Sequence, residues 1–198
     1  MHLKNHLTLP TILTLVRLIA SPLLLPVLLV YLLPYDHTML NIGLMLLFLA
    51  LSFTDFLDGY FARKYHLTSK LGSSLDHIAD KFLTYCAFIA LVTIGKIYFF
   101  WVIIFIGRDF FVMGLRQIAL ENNFSIPVDY LGKIKTALQI MLISWLIGRP
   151  MHMTHASAPT LYKGEIALLS ITLLVTILSG YHYYRICIER FNLHITQK

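Results

Sequence analysis

Residues 55–81 read DFLDGYFARKYHLTSKLGSSLDHIADK, and this stretch decides how the rest of the chain is arranged. It holds Asp55, Asp58, Asp76 and Asp80, four of the ten acidic residues. Asp55 and Asp58 are three apart and Asp76 and Asp80 four apart, so each pair shares one face of a helix. Long apolar segments flank the stretch on both sides. The simplest geometry is two neighbouring helices near a membrane surface, with four carboxylates converging. An aspartate at a bilayer centre costs about 2.5–3.5 kcal/mol, and close like charges add repulsion. Divalent cations would relieve both penalties, and all-oxygen ligands favour Mg²⁺ or Mn²⁺. Two such ions can clamp a phosphoryl group.

Composition sets the class. The chain has 198 residues, 58% hydrophobic, with mean hydropathy +0.73. That exceeds the roughly 45–50% of soluble domains and predicts an all-α, polytopic membrane protein, one membrane domain over 1–198. The net charge of +6 sits near helix ends, which fits anionic lipid head groups better than nucleic acid. Cys86 and Cys187 form neither a metal-spaced pair nor a disulfide framework, and none of the nine histidines makes a zinc-binding helix motif.

Hydropathy predicts six spans: Thr11–Leu33, Met39–Phe61, Leu71–Gly95, Ile97–Leu120, Tyr130–Gly148 and Glu165–Ile186. Residues 1–9 form a short lead-in, 149–163 a loop and 187–198 a tail. The first span is long, broken by Arg17, and reads as retained rather than as a cleaved signal. Six spans place both termini on one side. Nine cations lie there (Lys4, Arg63, Lys64, Lys70, Lys133, Lys135, Arg185, Arg190, Lys198) against three opposite (Lys96, Arg149, Lys163). The positive-inside rule then puts both termini, and the aspartates beside the 63–70 loop, in the cytoplasm.

The spacing D-x-x-D-G-x-x-A-R, eight residues, G-x-x-x-D-x-x-x-D resembles the signature of the CDP-alcohol phosphatidyltransferases. Asp55, Asp58, Gly59, Ala62, Arg63, Gly72, Asp76 and Asp80 fill every fixed position. The resemblance implies transfer of a phosphatidyl group from CDP-diacylglycerol to an alcohol, with CMP leaving. It implies two ions held by the four aspartates, Asp80 as general base, and Gly59, Ala62, Arg63 and Gly72 around the nucleotide lipid. It also implies a homodimer in a bacterial inner membrane, with the active site facing the cytoplasm. PTILTLVR from Pro10, GLRQ at 114–117 and LGKIKTALQ at 131–139 resemble the branch of that family that uses glycerol 3-phosphate. On that resemblance Arg17, Arg108, Arg116, Lys133 and Lys135 are the candidate acceptor-phosphate residues. Two positions depart from the branch: His77 stands where proline is usual, and Asp109 where glutamate is usual.

Other readings fit less well. Arg63 and Lys81 alone do not balance four aspartates as structural ion pairs. A sibling enzyme with phosphatidylglycerol, serine or inositol phosphate as acceptor would keep the same aspartates. An ion or metal transporter could use them as a relay, but the chain shows no internal repeat of the kind common in transporters.

Overall fold

The computed structural model describes residues 23–64, 70–122, 124, 126–127, 129–151 and 159–196, with side chains described except at 55–64, 70–80, 159–160 and 192–196. Every regular element among them is helical. Helix α1 covers residues 23–32 and tightens into a 3-10 turn at Leu33–Tyr35; α2 is Thr38–Lys64, α3 Lys70–Thr93, α4 Phe99–Glu121, α5 Tyr130–Gly148 and α6 Pro159–Thr196. The all-α expectation holds, and the fifth span matches to the residue. Arg17 and the start of the first span lie outside the described residues.

The last span needs correction. Helix α6 begins at Pro159, inside the expected 149–163 loop, and runs on through most of the expected tail. Proline is pre-organised for the first helical turn, and the sequence CIERFNLHIT at 187–196 contains no glycine or proline to stop the helix. Its 38 residues reach about 57 Å at 1.5 Å each, well beyond a hydrocarbon core of roughly 30 Å. Helix α5 and residues Leu161–Phe191 of α6 are long and apolar enough to cross a bilayer. With 23 residues α4 has the length, but it carries Arg108, Asp109 and Arg116 in its sequence.

The helices fall into two compact units. The first holds α1–α3 with the end of α5. Leu25, Leu29 and Leu33 bury one stripe of α1 at four-residue spacing, Leu44 and Phe48 do so on α2, and Leu83, Ala87 and Leu91 on α3. Helices α2 and α3 pack against each other. Helix α3 ends in a Schellman motif: Gly95 takes φ +74°, its N–H bonds Val92 O at 3.0 Å, and Lys96 N–H bonds Leu91 O at 2.9 Å. That turn buries Lys96, whose ammonium donates to Leu146 O at 2.9 Å, Ile147 O at 3.3 Å and Arg149 O. These are carbonyls that the end of α5 leaves without helical partners. Asp36, held at φ 50°, accepts the Met151 N–H at 2.6 Å. Two charges therefore fasten one helix end. Hydropathy assigned Lys96 to a turn on the outer side and gave no hint of this cap.

The second unit holds α4, residues 130–142 of α5, and α6. On α4 the buried stripe runs Val102, Phe105, Asp109, Val112, Ala119. Helix α6 is inverted relative to a soluble helix. Thr172, Thr176, Ser179 and Tyr183 are buried, while Ile171, Leu174, Ile177, Leu178 and Tyr184 are exposed. Thr172 and Thr176 return their hydroxyls to Leu168 O and Thr172 O, each at 2.7 Å, so neither hydroxyl is stranded. Small polar residues inside and large apolar ones outside are what lipid-facing helices require.

Lys96→Met should leave the α5 carbonyls unpaired and destabilise the protein by about 1–3 kcal/mol. The expected readout is a lower unfolding midpoint in detergent, with Lys96→Arg intermediate.

Candidate active site

The aspartate pairs are placed by helix register. Asp58 lies six residues before the end of α2 and Asp76 six residues after the start of α3. At 1.5 Å per residue each is about 9 Å from the 65–69 connection. Asp55 and Asp80 are nine and ten residues from the same ends, about 14–15 Å. The four positions thus occupy matched levels on two helices that touch. Gly59, Ala62 and Arg63 follow on α2 and Gly72 on α3; the side chains of all eight lie outside the described residues. The donor set is four carboxylates, oxygen only, which suits a hard divalent cation. Among the described side chains no group of three or more His, Cys, Asp or Glu is gathered.

A second constellation lies in the other unit, and there the side chains are described. Asp109 on α4 and Lys135 on α5 are both buried and paired, Nζ to Oδ2, at 2.5 Å. The other Asp109 oxygen accepts from Arg108 Nη1 at 3.0 Å. Arg108 Nη2 donates to Ser179 Oγ. Arg108 and Arg116 both approach the ring of Tyr183, their guanidinium carbons 5.4 and 5.2 Å from its centroid. Arg116 Nη2 donates to the Tyr183 hydroxyl at 3.1 Å, and so does the Asp129 N–H at 2.9 Å. His182 Nε2 stands 3.6 Å from Asp129 Oδ2. Gln139, one turn beyond Lys135, is also buried. Contacts 108–179 and 116–183 advance together, so α4 and α6 run parallel; contacts 109–135 and 132–183 make α5 antiparallel.

Two cations, Arg108 and Lys135, share the Asp109 carboxylate, and a third, Arg116, stands on Tyr183; with Asp129 beside the same tyrosine, three cations face two carboxylates. The arrangement also leaves donors idle: among the described residues, Arg108 Nε, Arg116 Nε and Gln139 Nε2 are buried with no acceptor. A stranded buried donor costs about 1–3 kcal/mol, and such groups in native proteins call for an explanation. An anion with several oxygens would supply it.

The sequence candidates separate here. Arg108, Arg116 and Lys135 come together. Lys133 is exposed, because two residues along a helix turn it about 200° from Lys135. Lys135 itself is not the interfacial cation expected from hydropathy; its sixth position on α5 carries it inside, against Asp109. Asp109 entered the sequence reading only as a shortened glutamate, yet it joins two of the cations. Ser179 and Tyr183 were missed. Their signal was the stripe Thr172, Thr176, Ser179, Tyr183, polar residues at three- and four-residue spacing in an apolar helix.

Comparison with known proteins gives a consistent answer. Residues 7–179 match the family described as CDP-alcohol phosphatidyltransferase. A Rickettsia bellii protein named CDP-diacylglycerol–glycerol-3-phosphate 3-phosphatidyltransferase is 36% identical over 192 residues, 96% of this chain and 100% of that one. The Bacillus subtilis protein of that name is 33% identical over 186 residues, 89% and 93% of the two chains. The Escherichia coli protein of that name is 32% identical over 148 residues, 71% and 77%.

Removing one partner from a buried ion pair costs about 3–5 kcal/mol. Asp109→Ala should therefore destabilise the protein strongly, and Asp109→Ala/Lys135→Met should unfold at a higher midpoint than Asp109→Ala alone. A double variant less stable than the single would show that the pair is not coupled.

Proposed function

The chain belongs to the CDP-alcohol phosphatidyltransferase family, and on that premise we propose that it transfers the phosphatidyl group of CDP-diacylglycerol to glycerol 3-phosphate. The products are phosphatidylglycerophosphate and CMP. The observation that carries this reading is the full eight-position motif set at matched levels on two touching helices.

Asp55, Asp58, Asp76 and Asp80 would hold the divalent metal, two ions of Mg²⁺ or Mn²⁺. When bound, the metal neutralises the pyrophosphate and the carboxylates together. Asp80 accepts the proton of the attacking glycerol hydroxyl. The new O–P bond forms at the phosphorus that carries diacylglycerol, and the bond from that phosphorus to CMP breaks. Gly59 admits the nucleotide close to the backbone, with Ala62 and Gly72 as the other small residues of the motif. Arg63 pairs with a phosphate. Arg108, Arg116, Lys135 and Arg17 bind the acceptor phosphate, and Lys133, exposed on α5, adds positive charge to the protein surface. What supports the acceptor assignment is the surplus of buried donors and cations around Tyr183.

The protein sits in the bacterial inner membrane with six crossings, both termini and the aspartates on the cytoplasmic side, as a homodimer. Support comes from the charge bias, which keeps its direction with Lys135 and Lys96 removed from the count, and from the up-down order of α4, α5 and α6.

Asp80→Asn should lower CMP release at least about 100-fold with an unchanged unfolding midpoint. Chelating the metal from the wild-type protein should abolish release, and Mg²⁺ or Mn²⁺ should restore it. Full activity of Asp80→Asn would contradict the assignment of the general base.

A further inference from the structure

Tyr183 lies on the last helix, outside every motif that the sequence singled out and just beyond the matched family region. It is 3% exposed. Its hydroxyl oxygen accepts two hydrogen bonds, from Arg116 Nη2 and from the Asp129 N–H. Both donors are nitrogens, so the direction of both bonds is fixed. A tyrosine oxygen has two lone pairs, and both are taken. It has nothing left to accept with, but its own hydrogen finds no acceptor among the described residues. Buried hydroxyls are seldom left so.

The same neighbourhood holds two more idle donors, Arg108 Nε and Arg116 Nε, on the two arginines that approach the Tyr183 ring. Three buried donors without an acceptor, on one tyrosine and the two cations beside it, outnumber the one buried acceptor left without a hydrogen bond beside them, Asp129 Oδ2, and so leave a seat for an oxyanion. The fixed bonds also make the tyrosine rigid. Asp129 N–H ties its hydroxyl to the start of α5, and at Gly132 an added Cβ would stand 3.4 Å from that hydroxyl. The Arg108 stem lies closer still to Gly180, where an added Cβ would stand 3.2 Å from Arg108 Cγ. The site is therefore built before any ligand arrives.

We infer that Tyr183 binds substrate directly: its hydroxyl donates a hydrogen bond to a phosphate oxygen of the acceptor, while its ring holds Arg108 and Arg116 beside the same group. The inference rests on the acceptor reading given above and adds α6 to the acceptor site. Its chemistry selects a phosphate monoester over a plain alcohol, because only the monoester supplies oxygens for all three donors.

The test is steady-state kinetics of the full-length protein in detergent with Tyr183→Phe, which keeps the ring and removes only the hydroxyl. A hydrogen bond to a charged group predicts a KM for glycerol 3-phosphate raised about 10- to 100-fold. The kcat and the KM for CDP-diacylglycerol should stay close to wild type. Inorganic phosphate, as a competitive inhibitor against glycerol 3-phosphate, should weaken by a similar factor. A purely structural tyrosine would change both substrates together or neither. Arg116→Lys is the second variant: it keeps a positive charge but loses the guanidinium Nη2 that bonds the Tyr183 hydroxyl and the idle Nε beside it, and should raise the same KM by a smaller factor. An unchanged glycerol 3-phosphate KM in Tyr183→Phe overturns the inference, as does an unchanged value in Arg116→Lys should Tyr183→Phe not fold. A rise confined to CDP-diacylglycerol overturns it too, and moves the hydroxyl to the donor's pyrophosphate. Wild-type protein that turns over glycerol 3-phosphate while the variant matches it leaves the function standing and removes only Tyr183. Wild-type protein with no such turnover removes the acceptor reading and this inference with it.

Discussion

Asp109 lies between Lys135 and Arg108, buried in a helix whose other buried neighbours are Val102, Phe105 and Val112. The arrangement of the second unit follows from that contact. A lone buried lysine or arginine would be too costly to keep ionised among apolar side chains. With Asp109 in place two cations share one anion, and the pair locks α4 to α5. The third cation, Arg116, is held by the face and hydroxyl of Tyr183 instead of by a carboxylate. Charge is thus retained inside an apolar protein without being fully cancelled, and an anionic substrate can use the remainder.

The same economy appears in the first unit. Lys96 and Asp36 are spent on the end of α5, one on its carbonyls and one on the N–H of Met151. A membrane helix has no water to satisfy its terminal groups when they are buried, so side chains must do it. Along α6 the hydroxyls of Thr172 and Thr176 satisfy themselves within the helix, which leaves a smooth polar face to pack and an apolar face for lipid.

Much of this was legible in the sequence. Hydropathy located α2, α3, α4 and α5 to within a few residues, because twenty-residue apolar runs have few alternatives. The aspartate motif was legible because its chemistry demands fixed spacing on two adjacent helices. The end of α6 was misplaced because falling hydropathy at 187–196 does not mark the limit of a helix. Lys135 was a candidate for the acceptor phosphate, but its partner was not legible, because a window average cannot see Asp109, 26 positions earlier. Tyr183 was missed for a related reason. A tyrosine near a helix end looks like an interfacial anchor, and only tertiary packing reveals the two arginines against its ring.

The central claim is that the chain transfers a phosphatidyl group to glycerol 3-phosphate. The most direct measurement is CMP release by the purified protein with CDP-diacylglycerol and Mg²⁺, offered one acceptor at a time: glycerol 3-phosphate, phosphatidylglycerol, serine and inositol phosphate. The account predicts release with glycerol 3-phosphate alone. Release with serine or phosphatidylglycerol but not with glycerol 3-phosphate would contradict it, and would leave the cations around Tyr183 without the role assigned to them here.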